Sequence, residues 1–276
     1  MRRLDLKSGL LRFARNDDEV NVFQVTIMKR KEGTTLNHIV EIIGYSKSYD
    51  GKKKAVDNLN LIIEPGDIYG FIGQNGAGKT TTIRALVGVM DFSEGVFMID
   101  GKSIKKDPIA CKKITSYVPD SPMVYEFLTG IQYLNYVADL YDVSAEDRQA
   151  RIARYGDMFE ITNRLGDLIS SYSHGMKQKV ILIGALIHQP KLLVLDEPFV
   201  GLDPQASFNL KSVFKELCDN GSAIFFSTHI LEVAEKLCNK IAIIKHGKLV
   251  TSGLTEDVVG DSSLEEIFLE VAANGK

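Results

Sequence analysis

Gly73-Gln74-Asn75-Gly76-Ala77-Gly78-Lys79-Thr80 reads G-x-x-x-x-G-K-T, the pattern of a phosphate-binding loop. Ile68-Tyr69-Gly70-Phe71-Ile72 before it predicts a buried strand. Thr81 to Met90 after it predicts a helix, with Ile83, Leu86, Val87 and Met90 at helical spacing. Strand, glycine turn and helix start in that order are the context such a loop requires. The glycines let successive N–H groups point at phosphate oxygens, and the first helical turn adds unpaired N–H groups and a positive dipole end. Lys79 brings a mobile charge to the β- and γ-phosphates, an attraction of about 4 kcal/mol at ~4 Å before desolvation. The Thr80 hydroxyl is placed to ligate Mg²⁺. The ligand class is therefore a nucleoside triphosphate with its metal.

The rest of the chain bounds the possibilities. Its 276 residues bury one large core, or a core with a smaller lobe. The net charge of −3 gives no global reason to expect nucleic acid. Cys111, Cys218 and Cys238 form no zinc or C-x-x-C pattern, so reduced thiols are expected. No apolar run approaches the ~20 residues of a membrane span; the longest apolar stretch is Val180 to Ile187. A membrane role would need other chains to cross the bilayer.

Residues 1–37 differ in character and read as an N-terminal extension, with no apolar run of a secretory signal after the basic start. Met28 before Lys29-Arg30-Lys31 offers a second start, which would make residues 1–27 an upstream segment; the other reading is a genuine arm. Strands are predicted at Ile39–Ile43, Leu59–Ile63, Val96–Ile99, Leu192–Leu195 and Ala223–Phe226, with turns at Asp50-Gly51, Pro65-Gly66 and Asp100-Gly101. Residues 107–188 carry long helical patterns and the aromatics Tyr125, Phe127, Tyr133, Tyr136 and Tyr141. Helices are expected near 205–219 and 231–239, and a closing hairpin around His246-Gly247. The sum is an α/β fold: a mostly parallel sheet flanked by helices, an antiparallel β-subdomain before it, and an inserted α-helical subdomain at about 107–188.

Four further motifs surround the loop. Leu192-Leu193-Val194-Leu195-Asp196-Glu197-Pro198 is an apolar strand ending in two acids, the place from which an acid reaches Mg²⁺ in a phosphate-loop fold. Ser173-His174-Gly175-Met176-Lys177-Gln178-Lys179 lies upstream, Gly201-Leu202-Asp203-Pro204 just downstream, and Ser227-Thr228-His229 after the next predicted strand. In this order the chain resembles the nucleotide-binding subunits of ATP-binding cassette (ABC) transporters, over about residues 38–270. Within that family it looks most like cassettes paired with separately encoded exporter-type permeases, which commonly carry a Tyr-Ser-x-Gly-Met-x-Gln signature.

The resemblance implies a P-loop NTPase core and a role for each matching residue. Gly73 to Thr81 would be the Walker A motif, Asp196 the magnesium ligand, Glu197 the catalytic carboxylate and His229 the switch histidine at the γ-phosphate. Ser173 and Gly175 would bind the γ-phosphate held by a second nucleotide-binding subunit, with Asp203 at the seam. Tyr49 is placed to stack on adenine, with Tyr45 as the fallback. ATP and Mg²⁺ would be the cofactors, and a separate transmembrane permease the partner, holding the subunit at the inner face of the cell membrane.

Three positions depart from the family pattern. His174 stands where a glycine is usual, and is read either as a pH-sensitive charge near ATP or as an exposed substitution. Asp120 replaces the glutamine expected after Tyr117-Val118-Pro119; a carboxylate is also a hard ligand, so Asp120 is a loop-coupling residue and a further Mg²⁺ candidate. The sequence stops soon after Leu264-Glu265-Glu266-Ile267-Phe268, read as leaving no room for a regulatory domain and as favouring an exporter. The alternative is a non-transport ABC ATPase acting on ribosomes or DNA; a single cassette without heptads or a basic stripe argues against it. A regulatory module with little turnover is countered by the presence of Glu197 and His229.

Overall fold

The chain is described here by a computed structural model, covering residues 38–121 and 123–273. The expectations for residues 1–37, including the second start at Met28, lie outside the described residues. Two sheets organise the rest. An antiparallel sheet has the order β2-β1-β4-β5, from β1 (Val40–Ser48), β2 (Lys54–Ile63), β4 (Glu94–Ile99) and β5 (Lys102–Ser103). The second has the order β10-β9-β3-β8-β7-β6. In it β3 (Ile68–Ile72), β6 (Thr115–Val118), β7 (Leu192–Asp196), β8 (Ala223–Thr228) and β9 (Lys240–Lys245) pair in parallel. Only β10 (Lys248–Leu254) runs antiparallel, closing the hairpin expected at His246-Gly247.

The parallel strands are apolar without alternation because both of their faces are covered. Ile68, Ile72, Leu193, Leu195, Ile224 and Phe226 join one buried cluster. Their neighbours Tyr69, Phe71, Leu192, Val194, Ala223 and Phe225 join the other. Helix α1 (Lys79–Leu86) and the antiparallel sheet supply the second cluster, together with Cys111 of the short α2 (Pro108–Lys113). The first cluster takes in α3 (Gly130–Leu140), α4 (Ala145–Met158), α5 (His174–Ile187) and α6 (Pro204–Asp219). It also takes in α7 (Leu231–Leu237) and residues of α8 (Thr255–Val259) and α9 (Leu264–Ala273). No helix among the described residues is long and apolar enough to cross a membrane.

Several boundaries differ from those expected; strands β1 and β2 run longer than Ile39–Ile43 and Leu59–Ile63, and two differences bear on the site. The helix after the phosphate loop spans Lys79–Leu86 rather than Thr81–Met90. The chain leaves the helix at Gly88, with φ +68°, and Met90 N–H turns back to the carbonyl of Arg84. The stretch 107–188 is also not helical throughout. Thr115–Val118 forms β6, which pairs in parallel with β7 and belongs to the core sheet. Its four residues are too few for periodicity to separate them from the helical patterns on either side.

Candidate functional site

Strand register brings the motifs together. Asp196 at the end of β7 pairs with Ser227 of β8, and Ile72 at the end of β3 pairs with Thr228. Three neighbouring parallel strands therefore stop at the same level. The residues that follow them, Glu197, His229 and Gly73, leave the sheet along one edge. This is the carboxyl end of a parallel sheet, where α/β folds place their ligands.

The phosphate loop bridges β3 and α1. Gly78 caps the helix at φ +111°, and a Cβ there would fall 2.6 Å from the carbonyl of Ala55. Only glycine satisfies both conditions. Gln74, Asn75 and Gly76 are exposed, Ala77 is buried, and Thr80 and Thr81 are half-buried. Lys79 is buried, and its ammonium donates to the carbonyls of Gly73 and Gln74. The same Nζ lies 3.4 Å from Oε1 of Glu197.

The two acids are held differently. Asp196 is 1% exposed; its Oδ1 accepts the Ser227 hydroxyl, while its Oδ2 is buried with no partner. Glu197 adopts φ +52°, a conformation that is costly for a side chain this long and that persists only where neighbours enforce it. Its N–H donates to both the carbonyl (3.2 Å) and the hydroxyl (3.1 Å) of Ser227. Its Oε2 lies 2.9 Å from Nδ1 of His229 and accepts the His229 backbone N–H at 3.3 Å. A carboxylate only accepts, so Nδ1 carries the proton. Ser227 therefore positions both acids at once. In the sequence only its place directly before Thr228-His229 at a strand end marks this serine.

A divalent cation fits this site. The unpartnered Oδ2 of Asp196 is a hard oxygen left without a donor, which a cation would satisfy. No cluster of three or more His, Cys, Asp or Glu among the described residues could hold a metal. Most of its ligands would thus come from phosphate and water, as Mg²⁺ prefers. Asp120 is exposed, and its Oδ1 accepts the N–H of Ser121. Among the described residues it makes no hydrogen bond to Asp196 or Thr80.

The remaining candidates lie around this centre. Tyr49 is exposed, with its hydroxyl 3.1 Å from Oγ1 of Thr81, so its ring stands beside the phosphate loop. The fallback Tyr45 is fully buried, its ring edge-on to Phe97 and Phe92; it is a core residue and cannot stack on a base. Ser173 caps α5 by accepting the N–H of Met176. Asp203 caps α6 by accepting the N–H of Ala206 and pairs with Lys179 at 2.7 Å. The Lys179 ammonium beside it and the Ala206 N–H hold its carboxyl below the usual range. His174 is exposed, in keeping with one of its two readings.

Comparisons with known proteins bear on the family and the fold. A family model described as ABC transporter matches residues 56–200. The ABC-type transporter ATP-binding protein EcsA of Bacillus subtilis is 34% identical over 225 residues, 80% of this chain and 91% of its own length. The linearmycin resistance ATP-binding protein LnrL of the same organism is 32% identical, over 77% of this chain and 68% of its own. A solved structure of an ATP-binding subunit of an ABC transporter superposes with a TM-score of 0.81 at 31% identity. That match covers 85% of this chain and 99% of the solved one.

Proposed function

This chain belongs to the ABC transporter family as an ATP-binding protein, and from that premise we propose that it hydrolyses ATP within a dimer to drive a separately encoded permease. The observation that carries the reading is Glu197, set 3.4 Å from the phosphate-loop Lys79 and 2.9 Å from His229. These three groups surround the point where a γ-phosphate on the loop would meet water.

Each residue has a task in this scheme. N–H groups of residues 74–80 cradle the phosphates, and Lys79 turns from the Gly73 carbonyl and Glu197 toward the β- and γ-oxygens. That movement frees Glu197 to orient water and accept its proton as the water oxygen attacks phosphorus and ADP leaves. Asp196 and Thr80 are the residues that would hold Mg²⁺, with Asp120 a further candidate; the ion would supply positive charge against the phosphates. His229, with Nδ1–H committed to Glu197, donates through Nε2 to the γ-phosphate only as the imidazolium. Tyr49 stacks on adenine.

One subunit encloses the γ-phosphate from one side. The start of α5, with Ser173 exposed and Gly175 half-buried, offers donors and a positive helix end to the nucleotide of a second subunit, with Asp203 at the seam. The closed dimer then lasts only while the γ-phosphate is present. The exposed aromatics Tyr125, Phe127 and Tyr136, with Tyr125 at 5.8 Å from both others, give the permease a face to grip. Export is the favoured direction, supported by the signature variant and by the resistance named for LnrL. The subunit then sits at the cytoplasmic face of the membrane through its permease. Light scattering on Glu197→Gln tests the dimer: a dimer in Mg-ATP and a monomer without nucleotide are expected, and a monomer in both would overturn the sandwich.

A further inference from the structure

Glu197 is followed by a loop that is tied to one helix, and that tie has a chemical centre. Gln178 lies one turn into α5, is 5% exposed, and donates its Nε2–H to the carbonyl of Pro198 at 2.9 Å. Its Oε1 is buried with no partner. A buried amide whose oxygen has no donor is costly, and an apolar residue of the same length would avoid that cost. The loop is fitted closely around it. Gly201 has φ +83°, and a Cβ there would fall 3.1 Å from Oε1 of Gln178 and 2.9 Å from the ring of His174. One residue further along α5, Lys179 pairs with Asp203.

We propose that Gln178 is a positioning residue for the catalytic carboxylate. Glu197 holds a left-handed backbone conformation, enforced on its N-terminal side by the two hydrogen bonds from its N–H to Ser227. On its C-terminal side Pro198 has no N–H, so its carbonyl is the next polar handle, and Gln178 grips that carbonyl. The turn bearing Glu197 is thus pinned to β8 on one side and to α5 on the other. Because α5 also begins with Ser173 and Gly175, the donors offered to a second subunit and the acid of this subunit's own site share one rigid element. Catalysis tolerates little misplacement: an error of 1 Å costs about 100-fold.

The inference rests on Glu197 being the catalytic acid, and the test separates the two. Gln178→Glu keeps the shape and, as a carboxylate, only accepts, so it cannot donate to Pro198. Gln178→Met removes the donor and the unmet acceptor together; relief of the second only partly offsets the Pro198 carbonyl left without its donor, so a fall of a few degrees in melting temperature is expected. For both variants kcat is expected to fall about 10- to 100-fold, while KM and the affinity for a non-hydrolysable ATP analogue stay within about twofold. Glu197→Gln is assayed beside them. If it loses turnover while both Gln178 variants keep wild-type kcat, Gln178 does not position Glu197. If Gln178→Met loses turnover only in step with affinity and melting temperature, the role is structural and the proposal fails. If Glu197→Gln itself keeps turnover, the reading of the site fails with it.

Discussion

Replacing Ser227 with alanine should destabilise the protein far more than the loss of one oxygen atom implies. The hydroxyl is fully buried and donates to Oδ1 of Asp196, a carboxylate that is 1% exposed and whose Oδ2 already lacks a partner. After Ser227→Ala neither oxygen has a donor. A hydrogen bond to a charged group contributes about 1.5–3 kcal/mol, and stranding the acceptor adds desolvation. The N–H of Glu197 keeps the Ser227 carbonyl at 3.2 Å, so little further loss arises there. The expected cost is therefore about 2–3 kcal/mol, or about 5–10 °C in melting temperature for a chain of this size. Urea unfolding without nucleotide should show a lower midpoint at unchanged slope. A double-mutant cycle isolates the cause: in the Asp196→Asn background, where no charge needs the donor, Ser227→Ala should cost under about 1 kcal/mol. Excess Mg²⁺ with an ATP analogue should narrow the wild-type gap. A cost below about 0.5 kcal/mol in both backgrounds would refute the claim that Ser227 holds the acid.

Other consequences follow from buried groups away from this centre. His188 stacks on Tyr141 at 3.6 Å, and burial, with the Arg151 cation, pushes its pKa down to about 4. The unfolded chain binds this proton and the folded chain does not, so stability is full above about pH 6.5 and is lost as the pH falls toward 4. His188→Phe should flatten that slope in pH-dependent denaturation, and an unchanged slope would show that other groups cause it. Burial raises all three thiols, Cys218 to about 12 and Cys238 further. Native protein at pH 8 should therefore resist iodoacetamide at every cysteine, react fully in denaturant, and contradict the packing if one thiol alkylates rapidly when folded.

The sequence made the phosphate loop and its strand readable because their chemistry is local: apolar Ile68–Ile72, then glycines where the backbone must turn. It also placed Asp196 and Glu197, since an apolar run ending in two acids marks a strand end. What stayed hidden depends on distant partners. Ser227 gains its role from a strand register with Asp196, and Gln178 from a loop twenty residues away. Tyr45 and Tyr49 look alike in sequence, and only packing against Phe92 and Phe97 separates the core residue from the exposed one. Helix α1 ended before Met90 because Gly88 turns the chain, a signal outweighed by the apolar spacing. Strand β6 was too short to stand out from the helices around it.

The central claim is that Glu197 activates water for attack on an ATP held by Lys79, and phosphate release by purified protein tests it most directly. Glu197→Gln should bind Mg-ATP within about twofold of wild type while losing about 100-fold or more in turnover, the range of a lost general base. Lys79→Ala should instead lose binding itself. Turnover by Glu197→Gln at the wild-type rate would contradict the account.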